Sequence, residues 1–74
     1  MTSASMYQVA LTRGHETRLF SIRDTTAGWE LIEAANHRTV RTVSYTDWHR
    51  VERAIALIEI DAVALERDGW SRIP

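Results

Sequence analysis

The chain has 74 residues and a formal net charge of −1, from nine arginines set against ten acidic residues, with no lysine and no cysteine. This composition excludes disulfides, thiolate metal sites, a Schiff-base lysine and a phosphate-loop lysine, and it leaves no electrostatic footprint for nucleic acid or an anionic membrane. One small core is expected, and because a domain of this size buries only about 60% of its unfolded surface, an oligomeric interface is one of the few remaining sources of extra stability.

Residues 1–5 (MTSAS) are small and polar, lack the charged and apolar regions of a signal peptide, and are expected as a loose tail. No apolar run reaches the ~18 residues needed to span a bilayer, so a cytoplasmic chain without membrane association is expected. Met6–Arg13 alternates, with Tyr7, Val9 and Leu11 on one face and Gln8, Ala10 and Thr12 on the other. Gly14-His15 makes a turn, and Thr17–Asp24 follows as a second strand with Phe20 and Ile22 sharing a face. After the turn-forming run Thr25–Gly28, Trp29–Ala35 sets Trp29 and Leu31 against Glu30. Asn36-His37 suits a two-residue turn, because Asn tolerates left-handed backbone, and the β-branched Arg38–Tyr45 reads as a fourth strand.

Asp47–Leu65 then carries helical periodicity, with Thr46 as the expected N-cap and Asp47 in the first turn. Gly69 fits the left-handed residue after the helix, which would pack Trp70 back onto Leu65. The expected fold is therefore α+β, a four-stranded antiparallel meander followed by one long helix across one sheet face (ββββα). Residues 6–70 form the domain, and residues 71–74 are expected as a C-terminal tail.

The helix is apolar on more than one side. Val51, Ala54, Ile55, Ile58, Ala62 and Leu65 form a stripe suited to cover the sheet face of Tyr7, Val9, Phe20, Ile22, Trp29 and Leu31. Leu57, Ile60, Val63 and Ala64 lie more than a quarter turn away, with Glu52, Glu59 and Glu66 lining one edge. Soluble monomers avoid a contiguous patch of that kind, so these four residues are the expected interface of a symmetric homodimer. Within one chain, the competing arrangement is Trp70, Ile73 or the N-terminal tail folding over the patch.

Residues that could carry chemistry are sparse. His15 and His37 fall in turns at one end of the meander, with Glu66 and Asp68 returning towards them, yet no metal-ligand spacing joins them. His49 lies beside Asp47 at the helix start, with Arg50 and Glu52 nearby, and surface solvation with a weak side-chain pair to Asp47 or Arg53 is the expectation. No Ser-His-Asp arrangement or Gly-rich phosphate loop is present, and a non-catalytic module without cofactor or metal is expected. Its partner is a second copy or another, unidentified protein.

The alternative is single-stranded nucleic-acid binding. Arg18, Arg23, Arg38 and Arg41 are interleaved with aromatics in the strand region, where exposed bases could stack, and Thr12, Ser21, Thr42 and Ser44 would share the open sheet face with Arg23. The order of four strands and then a helix, over most of the chain, resembles half of a Whirly-type single-stranded-DNA-binding module. The resemblance is one of layout without a specific motif. It implies the same binding alternative, which the near-neutral charge opposes.

Overall fold

In the computed structural model, which describes residues 5–74, the alternating segments form four long strands joined by two-residue turns. These are β1 (Ser5–Arg13), β2 (Glu16–Thr25), β3 (Gly28–Ala35) and β4 (Arg38–Tyr45). The helix α1 (Trp48–Arg67) and a short strand β5 (Ser71–Ile73) complete the fold. The sheet runs β4-β3-β2-β1-β5 with every neighbour antiparallel. An α+β meander with one C-terminal helix is thus the architecture, as the alternation implies. Of the expected N-terminal tail, residues 1–4 lie outside the described residues, while Ser5 begins β1 opposite Arg23.

Turn chemistry fixes the register. Asn36 and His37 both take positive φ, at 51° and 68°, the signature of a type I′ hairpin turn. The Asn36 amide donates to the Thr17 carbonyl at 2.9 Å, and its Oδ1 accepts from the Thr17 N–H at 3.0 Å. This third turn is thereby stitched to the start of β2. Gly28 meets a different demand: a Cβ there would stand 2.2 Å from the Tyr45 carbonyl oxygen, so only glycine lets β4 leave the sheet at that point.

One face of the sheet and one stripe of α1 make the core. Val9, Leu11, Phe20, Ile22 and Leu31 meet Val51, Ala54, Ile58 and Ala62, with Trp70 closing one end. Ala54 and Ala62 stand one turn either side of Ile58, and their small side chains let the helix sit close to the strands. Burial of these apolar groups, at roughly 25 cal/mol per Å², is the main stabilising contribution. At the helix start, Trp48 lies against Trp29 with ring centroids 5.4 Å apart and tilted by 54°. It remains partly exposed, a partial cover for the core rather than a sealed lid.

Both helix ends are capped. The N-cap is Asp47, one residue later than the expected Thr46: its backbone is extended and its Oδ1 accepts from the His49 N–H at 2.9 Å. An ionised carboxylate serves there better than a hydroxyl, because it adds charge complementarity with the dipole. At the other end Gly69 has φ +96°, the Trp70 N–H reaches the Leu65 carbonyl at 3.0 Å, and the Gly69 N–H reaches the Glu66 carbonyl at 3.2 Å. This is the expected Schellman ending, with Trp70 buried and Leu65 packed on the core beside it. Arg13 reinforces it by donating to the Asp68 carbonyl at 3.2 Å and lying 5.0 Å over the Trp70 ring.

The Schellman turn explains the main departure from the sequence reading. Residues 71–74, expected as a tail, contain β5, which pairs Ser71, Arg72 and Ile73 with Thr12, Leu11 and Ala10. Three residues are too few to show alternation. The strand follows from the turn, which sends the chain back along the free edge of β1.

Candidate interaction surface

With Val51, Ala54, Ile58 and Ala62 against the sheet, helical geometry directs the opposite face of α1 outward. Leu57 is 56% exposed, Ile60 64% and Val63 43%. Of the chain's own candidate covers, Trp70 is committed to the core and Ile73 pairs with β1 at the edge of the sheet, while residues 1–4 of the N-terminal tail lie outside the described residues. Ile60, Val63 and Ala64 line a shallow concavity of about 370 Å³ with Glu59 and Arg67 at its rim. The dip exists because Ala64 supplies only a methyl group between larger neighbours. The surface is thus an apolar ridge with a recess beside it, the form that helix-to-helix packing uses.

Charge surrounds this patch unevenly. On one edge Glu59 accepts a hydrogen bond from the Tyr7 phenol and an ion pair from Arg72 at 3.0 Å, and Arg72 also holds Glu66 at 2.9 Å. Burial, together with the adjacent Glu59 carboxylate, pushes the Tyr7 hydroxyl up to about 12. The bonds from Tyr7 and then Arg72 hold Glu59 below the ordinary carboxylate range. Two of the three acidic residues on this edge are therefore neutralised within the chain, by an arginine whose position depends on β5. Around the rest of the patch, Arg53, Arg67, Asp61 and Asp68 form no side-chain ion pair among the described residues. Arg53, Ile60 and Arg67 are spaced by seven, a signal visible in the sequence and passed over there in favour of the apolar residues.

The strand arginines are not gathered into one site. Arg18 lies on the helix side of the sheet, over the Phe20 ring at 5.6 Å, and pairs with Glu33 at 3.1 Å. Arg41 joins the same carboxylate at 3.4 Å. Arg23 is on the opposite, open face, bound to Glu30 at 2.6 Å. Of the four, only Arg38 is without an ion pair among the described residues. Thr12, Ser21, Arg23, Thr42 and Ser44 do share the open face, as the register of β1 to β4 requires. The aromatics Phe20, Tyr7, Trp29 and Tyr45 instead belong to the helix-side core.

The histidines stand apart from this surface. His15 and His37 occupy turns at the same end of the sheet, and His49 is exposed with its Nδ1 3.7 Å from Glu52. Among the described residues no group of three or more His, Asp or Glu is arranged to hold a metal, and no helix is long and apolar enough to cross a membrane. No family model, no curated protein and no solved structure matches this chain.

Proposed function

We propose that this protein is a small non-catalytic interaction module that self-associates through the outward face of α1, with Leu57, Ile60, Val63 and Ala64 at the centre of the contact. The observation that carries the reading is the contiguous exposure of Leu57, Ile60 and Val63 beside a recess that a second helix could fill. A helix whose two sides are both apolar has more such surface than one sheet covers, and a second copy supplies the missing cover. Sedimentation equilibrium tests it: a mass near twice 8.5 kDa at micromolar concentration is expected, and a single-chain mass throughout overturns it. Single-stranded nucleic-acid binding through the sheet has less geometric support. The aromatics that would stack bases are packed under α1, and Arg18, Arg23 and Arg41 are held by carboxylates.

A further inference from the structure

Independently of self-association, we infer that the free edge of β4 and the groove beside it form a second interaction surface. Its occupant is an acidic, extended peptide that joins the sheet as an added strand. Strand order and hydrogen-bond alternation carry the inference. β4 is the outermost strand on its side, with β3 as its one neighbour among the described residues. The Asn36 N–H bond to the Thr17 carbonyl shows that Thr17 turns its backbone groups towards β3. In an antiparallel ladder such groups alternate in direction along each strand. Leu19, Ser21 and Arg23 therefore also face β3, and their partners Ala34, Ile32 and Glu30 face β2. Leu31 and Trp29 consequently face β4, where Val43 and Tyr45 are their partners. The N–H and C=O groups of Thr42 and Ser44 thus point out from the sheet, an open template for another strand. The register shift between Glu33 and Ala34 makes Val40 an extra residue, so the regular edge is Arg41–Tyr45.

Beside that edge, Tyr45, Arg50, Arg53, Ala54 and Leu57 line a concavity of about 370 Å³ between β4 and α1. Arg38 and Arg41 lie on the same, helix side of the sheet, because they pair with Ala35 and Glu33. Arginines therefore border this side of the edge, and of them Arg41 is held by the Glu33 carboxylate. Arg38, Arg50 and Arg53 have no side-chain ion pair among the described residues. β4 itself contains no acidic residue, so no register of β4 against β4 of a second copy sets opposite charges together. An extended peptide with carboxylates at alternate positions would place them among these arginines. An apolar side chain between the carboxylates would enter the concavity beside Ala54 and Leu57. Main-chain bonds to Thr42 and Ser44 supply affinity in this mode, and the charges and the concavity select the sequence. Nucleic acid would use the charge but would leave the outward N–H and C=O groups without a complementary ladder.

The probe is a capped synthetic peptide in which leucine has glutamate two positions away on each side, with threonine elsewhere. In a nitrogen-edited NMR titration of the full chain at low salt, it should bind and shift the Thr42 and Ser44 amides most. Lysine in place of both glutamates should abolish binding, and Arg50→Glu should weaken it about tenfold. Arg50 lies in the first turn of α1, where a carboxylate suits the helix dipole, so this variant should stay folded. N-methylating alternate peptide amides should abolish binding in one phase and leave it within about twofold in the other, since only one set faces β4. A peptide that fails to bind at low salt, or that binds equally with either methylation pattern, overturns the proposal. So does a single-stranded oligonucleotide of equal charge that outcompetes the peptide.

Discussion

Leu57 and Ile58 are adjacent in the chain and point about 100° apart around α1: Ile58 is 3% exposed at the centre of the core, and Leu57 is 56% exposed on the outer surface. The same apolar-to-acidic change at the two positions should have different consequences. Ile58→Glu buries a carboxylate among Phe20, Leu31 and Val51 and is expected to unfold the chain, with loss of cooperative thermal unfolding. Leu57→Glu or Ile60→Glu should leave the circular dichroism spectrum and monomer stability within about 0.5 kcal/mol of wild type and abolish the dimer in sedimentation. A soluble, folded Ile58→Glu protein would contradict the core assignment.

The phenol of Tyr7 must stay protonated to donate to Glu59. Its folded pKa is raised from 10.0 to about 12, so its contribution is complete below pH 10 and disappears as pH climbs towards 12. Glu59 is shifted downward, so its contribution is complete above 4.5 and is lost as pH falls through the lowered value. Ultraviolet phenolate titration should show a component near 12 that Tyr7→Phe removes and Glu59→Gln moves back towards 10. Tyr7→Phe should cost about 1 kcal/mol near neutral pH, modest because the site is only partly buried.

Arg72 ties β5 to the helix through Glu59 and Glu66. Replacing it with Ala should raise the Glu59 pKa and speed amide hydrogen exchange over β5 and the facing residues Ala10 to Thr12. These pairs are exposed and screened by solvent, so the global melting temperature should fall by only a few degrees.

Gly28→Ala places a methyl group against the Tyr45 carbonyl at a backbone φ of +142°. Roughly 2–4 kcal/mol of stability should be lost, measurable by urea titration, because β4 and the start of α1 must move to admit it. By contrast, Asp47→Ala removes one cap bond and should cost about 1 kcal/mol. A reversed order of the two would mean that the β3–β4 junction is looser than the close approach of Gly28 implies.

How much of this was legible follows from the length of each signal. The alternation that puts Tyr7, Val9, Leu11, Phe20, Ile22 and Leu31 on one sheet face, and the stripe from Val51 to Ala62, recur often enough to be read without coordinates. β5 was not, because its pairing with β1 depends on where the Gly69 turn aims the chain. The apolar outer face was likewise readable from Leu57, Ile60 and Val63. Its charged surroundings were only partly so: Glu59 and Glu66 stand out by spacing, but Tyr7 and Arg72 reach them only through the folded arrangement. The strand arginines illustrate the reverse problem, since Arg18 and Arg23 are close in sequence yet lie on opposite faces once alternation is applied.

The anchoring of α1 at both ends has a kinetic and entropic meaning. Trp48 leans on Trp29 at the start, while Trp70 and Arg13 secure the finish, so the backbone between them is held before any encounter occurs. A partner arriving at Ile60 would meet a preorganised platform, and docking could proceed as a rigid-body event with few torsions left to freeze.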